Sequence, residues 1–295
     1  VKLAGVTATI ISQTSAKIVV EASSGSGLGN VVIVADNGGT DFLAGAWEFS
    51  EITSVSPVSG QLGTAVTIVG DGLFLGVGSI EQVILSGIDA EIVTQSNTEI
   101  TVRADSGSSD VVGVSGDTIV VSVAGTRVTA ANSWTYLANG AITDVSPASG
   151  QVGTIITIIG TGMLGGGFEI SSGTIGGVQP RTTFTISDKL IVVEAAKATA
   201  GASDIVLVAD TGAVVTGVDA FEYLEQSEIT SLSLDEGQYG TETTIFGVNL
   251  LGGGSHIVSV TFAGTAAEIT LGNDNTKVQV IVQRSTPTQG DIVLI

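Results

Sequence analysis

Short apolar stretches fill the chain, and within them apolar and polar residues alternate. Val66 and Ile68, and again Ile100 and Val102, are separated by Thr. This is the period-two pattern of a strand with one buried face. Between residues 52 and 141 the pattern predicts strands near 52–56, 64–69, 80–86, 88–94, 99–104, 118–124 and 127–136. About seven short strands in about 90 residues is the density of an immunoglobulin-like sandwich. The Cys…Trp…Cys signature of antibody domains is absent, because the chain has no Cys.

The strand pattern repeats. Residues 52–70 read ITSVSPVSGQLGTAVTIVG, residues 142–160 read ITDVSPASGQVGTIITIIG, and residues 229–247 read ITSLSLDEGQYGTETTIFG. Just before each opening stands an aromatic pair: Trp47 and Phe49, Trp134 and Tyr136, Phe221 and Tyr223. Positions i and i+2 of a strand share a face, so the two rings of each pair point the same way and are expected to pack near the end of their domain. Residues from Val1 (VKLAGVTATIISQTSAKIVVEA) align with those from Val83 (VILSGIDAEIVTQSNTEITVRA). The chain therefore divides into a rear fragment (1–51), whole units at 52–141 and 142–228, and a front fragment (229–295) that stops before its aromatic pair.

Each part of the opening motif has a physical reason. Pro57 and Pro147 lack an N–H, so they end a ladder and suit an edge. The Gly60-x-x-Gly63-Thr64 stretch, repeated at Gly150, Gly153 and Thr154, predicts a tight turn with positive φ. Gly70, Gly160 and Gly247 close the following strand. The last unit keeps Gly237, Gly240, Thr241 and Gly247 but carries Leu234 in place of Pro, which weakens its opening turn. With Ser56 and Ser146 before the prolines and the closing aromatic pair, this motif resembles the IPT/TIG domains (immunoglobulin-like, plexin and transcription factor type). The resemblance covers essentially the whole chain. It implies an all-β fold of tandem immunoglobulin-like sandwiches in an extended array. In that family such domains serve as spacers and protein-binding modules of receptors and surface proteins, or as accessories of carbohydrate-active enzymes.

Composition narrows the function further. The formal net charge is -20, from 9 Lys plus Arg against 29 Asp plus Glu. Nucleic-acid binding needs a basic face, which this chain lacks. No 18-residue run is free of Gly, Ser, Thr and charge, so direct membrane insertion is not expected. Without Cys there is no disulfide, thiolate metal site or Cys nucleophile. Aromatics are only 4% and Gly number 41, as suits Val/Ile/Thr-rich strands with many turns.

Few residues suggest chemistry. Gly160-Thr-Gly162-Met-Leu-Gly165 fits a dinucleotide fingerprint, but Gly166-Gly167-Phe-Glu follows where a helix is required, so a turn is the reading. His256 is the only His, with no nucleophile or orienting carboxylate to pair with it, and it is expected at the surface. The carboxylates are spread along the chain. Glu222, Glu225, Glu228, Asp235 and Glu236 are denser, at one junction, and are the candidates for a Ca²⁺ ion; Glu48 and Glu51 lie at the equivalent earlier junction. Otherwise no cofactor is expected. Asn97, Asn132 and Asn275 all fail the N-glycosylation rule at the third position.

The linkers are short: five residues lie between Tyr136 and Ile142, five between Tyr223 and Ile229, and two between Phe49 and Ile52. The expectation is a non-enzymatic structural or adhesive protein of the cell surface, forming a stalk, filament, sheath or surface layer. Its partners would be copies of itself, as a homopolymer or part of a larger chain, or other surface proteins. The alternative is a carbohydrate-binding or accessory module of an exported enzyme, which would need an exposed aromatic platform from Trp47 or Trp134.

Overall fold

Strands form where the alternation predicts them. A computed structural model describes residues 1–270, 274–286 and 288–295. Between residues 51 and 136 it places strands at Glu51–Ser56, Ala65–Asp71, Ile80–Leu85, Ile88–Gln95, Glu99–Arg103, Ser115–Ser122 and Arg127–Tyr136. Each lies within a few residues of its expected span. A two-residue strand, Ser59–Gly60, was not legible in the pattern; it pairs in parallel with Thr135 and Tyr136. Among the described residues no helix forms, and none is long and apolar enough to cross a membrane.

Contacts group the chain into two units. One is Val1–Gly140 with Leu164–Phe168 and Val208–Val214; the other is Ala141–Met163, Glu169–Leu207 and Val215–Ile295. In the first unit, strand Ile88–Gln95 belongs to both layers of its sandwich. Its first half pairs with Ile80–Leu85 (Val83 opposite Ala90), and its second half pairs with Glu99–Arg103 (Ile92 opposite Val102). One continuous eight-stranded sheet results, wrapped around a core of Val66, Ile68, Val83, Ile100, Val102 and Trp134, each 0% exposed. Hairpins from residues 1–49 form a smaller cluster around Leu3, Ala8 and Phe49.

The second unit carries two cores. The first gathers Ile156, Ile158, Ile191, Ile205, Phe221 and Tyr223; the second gathers Ile245, Val260, Val278 and Val280. The strand Ile155–Thr161 repeats the burial pattern of Ala65–Asp71 residue for residue. Around the 229–295 core, strand Thr265–Ile269 again links both layers, pairing with Val260–Phe262 and with Lys277–Ile281. Around the 142–228 core it does not. There the layers are two separate four-stranded sheets. After Ile175 the chain makes an isolated bridge, Ile175 to Val178, and then meets Pro180, which has no N–H to continue a ladder.

The repeated turn explains the spacing of the motif. The Thr64 hydroxyl accepts the Gln61 N–H at 3.0 Å, the Thr154 hydroxyl the Gln151 N–H at 3.0 Å, and the Thr241 hydroxyl the Gln238 N–H at 2.9 Å. A Cβ on Gly60, Gly150 or Gly237 would collide with that same Thr side chain. Gly63, Gly153 and Gly240 take φ of 85°, 90° and 83°, where a side chain is strained. At Gly70, Gly160 and Gly247 a Cβ would strike the carbonyl oxygens of Glu51, Ala141 and Glu228 on the neighbouring strand. Pro57 and Pro147 follow cis peptide bonds. Leu234 restores an N–H that Pro lacks, and Thr243 compensates: its hydroxyl takes the Leu234 N–H at 3.2 Å. The other two units hold Val66 and Ile156 at the Thr243 position.

Candidate functional site

The turn that carries the Gln aims it at the linker leaving the same unit. Gln151 Nε2 donates to Ser227 Oγ at 2.7 Å, and the Ser227 N–H donates to Gln151 Oε1 at 2.8 Å. Ser227 Oγ in turn donates to the Asn249 carbonyl at 2.6 Å. A half-buried Gln, a linker Ser and the loop of the following repeat thus form one chain of hydrogen bonds. Parts of the same clasp recur. Gly140, which stands where Ser227 does relative to the next Ile-Thr opening, donates its N–H to Gln61 Oε1. Gln61 is only 1% exposed. Ser50, in the same linker position, donates to the Gly72 carbonyl at 2.8 Å. Gly72 and Asn249 both have positive φ, 62° and 51°, which turns their carbonyls toward the linker. Beside Ser50, Asn97 Nδ2 donates to Glu48 Oε2 at 3.2 Å. The motif shows that a Gln is present; its partner lies 76 residues away and has no local signature.

The predicted residues take varied places. Each aromatic pair meets edge to face: Trp47 with Phe49 at 5.9 Å, Trp134 with Tyr136 at 5.6 Å, Phe221 with Tyr223 at 5.1 Å. Trp134, Tyr136, Phe221 and Tyr223 belong to the sandwich cores, and Trp47 is half-buried. Glu222, Glu225, Glu228, Asp235 and Glu236 are all exposed. Among the described residues no three His or acidic side chains stand where one ion could be held, so these five are not gathered into a cation site. His256 is exposed, with its Nδ1 3.0 Å from Ser255 Oγ. The segment after Gly160 is a turn with positive φ at Gly162, Gly165 and Gly166, and no helix begins there.

The electrostatics are those of a solvated acidic surface with neutral cores. Burial, aided by the nearby Asp105 carboxylate, pushes the Tyr136 phenol up to about 12. Burial also raises Tyr223. Tyr136 Oη and Trp134 Nε1 are buried with no partner in the protein. Arg181 pairs with Glu194 at 2.8 Å, and the Arg284 guanidinium lies 5.2 Å from the centre of the exposed Tyr239 ring. Asp274 is held below the usual carboxylate range, chiefly by hydrogen bonds from the Thr276 hydroxyl and N–H.

These sandwiches, with a repeated turn, aromatic pairs before residues 52, 142 and 229, and parts of a common linker clasp, define a tandem immunoglobulin-like repeat protein. The chain belongs to the IPT/TIG domain family, whose model matches residues 50–136 and 141–223. No curated protein matches the chain. Among solved structures it is similar to the plexin A4 full extracellular region, at 18% identity and TM-score 0.40, covering 80% of this chain and 21% of that one. It is also similar to the surface glycan-binding protein PbSGBP-B from Prevotella bryantii, at 14% identity and TM-score 0.26, covering 62% and 44%. A third is a surface glycan-binding protein from Bacteroides ovatus in complex with a mixed-linkage heptasaccharide, at 15% identity and TM-score 0.27, covering 79% and 61%. The chain thus spans about a fifth of the plexin chain and under two thirds of the other two.

Proposed function

We propose that this chain is a non-enzymatic structural or adhesive component of a cell surface, built of modules 1–51, 52–141, 142–228 and 229–295. It works through contacts with copies of itself or with other surface proteins. The observation that carries this reading is the clasp. The same linker position is hydrogen-bonded at Ser50, Gly140 and Ser227, and at Ser227 the bonds run on from Gln151 of one repeat to Asn249 of the next. Polar networks of this kind fix one geometry when every member is satisfied. The carbohydrate-binding alternative needs an aromatic platform, and Trp134 at 0% exposure and the half-buried Trp47 do not offer one.

Electron microscopy of the purified protein across a concentration series tests the proposal. Filaments, sheets or lattices are the expected result. Particles that stay monomeric at every concentration, together with saturable binding to a polysaccharide panel, would overturn it in favour of the carbohydrate module.

A further inference from the structure

The repeat at 142–228 departs from its siblings at one place. Aligned on the hairpin turn, Val83, Val260 and Val1 correspond to Gly173; one residue is inserted beyond that turn, and strand register makes Thr183, opposite Val193, the counterpart of Ile92 opposite Val102, Ile269 opposite Val280 and Ile10 opposite Val20. The turn residues support that alignment. Ser86, Ala263, Ala4 and Gly176 all have positive φ, each followed by a positive-φ Gly. So two branched aliphatic side chains that the 52–141 and 229–295 repeats pack into their cores, Val83 with Ile92 and Val260 with Ile269, are missing from this one. Pro180 falls between them, where the bridging strand breaks. The result is a cavity of about 220 Å³ between the two sheets.

Its walls are Ile158, Ile175, Ile191, Val193, Ile205 and Leu207, all nearly fully buried. Its mouth carries Ser171, Thr174, Gln179 and Thr183, and no charged side chain lines it. Interiors are ordinarily packed without such voids. An unfilled apolar cavity forfeits dispersion contacts in proportion to its size, and a ligand of matching shape returns them. A charged ligand would leave its charge unpaired there, which burial penalises heavily. The hydroxyl and amide groups at the rim suit one neutral polar end. We propose that this cavity is a binding site for a small uncharged molecule with an aliphatic or aromatic body and a single hydroxyl or carbonyl head.

The test is a titration of the full chain, labelled at its Ile, Leu and Val methyl groups, with 1-hexanol. Saturable shifts are expected at Ile158, Ile191, Val193, Ile205 and Leu207. Ile68, Ile100 and Val102, in the closed repeat, should stay in place. Hexanoate, which has the same body with a carboxylate head, should produce no saturable shift. Gly173→Val should abolish the hexanol response. A Cβ at Gly173 meets nothing nearer than Leu207 Cδ2 at 3.6 Å, so Gly173→Ala should keep the fold and weaken binding. If the Val variant loses its dispersed methyl spectrum, Thr183→Ile fills the cavity from the other wall and should likewise abolish binding. No saturable shift in the parent chain, equal shifts in the closed repeat, or undiminished binding in a folded filled variant would overturn the proposal.

Discussion

At the scale of single residues, backbone conformation and burial account for most of what the motif demands. Gly60 is glycine because the Thr64 side chain occupies the space of its Cβ, and Gly63 is glycine because its φ is positive. The closing Tyr136 is less obviously required. Its hydroxyl is buried without a partner, and the equivalent position in the first fragment is already Phe49. Tyr136→Phe should therefore be neutral or stabilise by up to about 1 kcal/mol, read from urea unfolding. The same residue sets a pH dependence. Its folded pKa, about 12, exceeds the ordinary tyrosine value of 10.0. The folded state thus holds the proton more tightly, and stability falls as pH rises from about 10 toward about 12. In Tyr136→Phe the part of this alkaline loss that belongs to its own repeat should vanish, which intrinsic fluorescence of Trp134 would follow. An unchanged alkaline profile would contradict that assignment.

At the scale of elements, the opening strands show how one substitution is answered by another. Where two repeats end the strand with Pro, the third has Leu234, and Thr243 accepts its N–H. Thr243 is 5% exposed, and removing its hydroxyl leaves the part-buried Leu234 N–H unpaired. Thr243→Val is expected to cost about 1–3 kcal/mol in chemical denaturation. In a double-mutant cycle with Leu234→Pro, which removes the donor, much of that cost should disappear. Strictly additive losses would show that the two residues are not coupled.

At the scale of the whole molecule, the apolar side chains gather into separate clusters, one for each repeat with its own opening motif. Ile68 lies at 0% exposure within the first of these. Ile68→Ala should cost about 2–5 kcal/mol there. The methyl signals of Ile156, Ile158 and Ile245 should keep their native positions when the 52–141 repeat unfolds in urea. Simultaneous loss of all three cores would mean that the repeats are not independent folding bodies.

Much of this architecture was readable in the amino-acid order. The alternation of Val and Ile with Thr, the Gly-x-x-Gly-Thr turn and the aromatic pair each report a constraint that acts within a few residues: a pleat, a φ value, a shared strand face. Such constraints need no knowledge of distant chain, which is why the strands between residues 51 and 136 fall close to their expected spans. The clasp from Gln151 through Ser227 to Asn249, the rescue of Leu234 by Thr243, and the cavity at Gly173 are of another kind. Each depends on which groups meet across 9 to 98 residues of chain, or on how side chains pack between the layers. Hydrogen-bond partners and voids are properties of packed layers, and they exist only once the chain has folded.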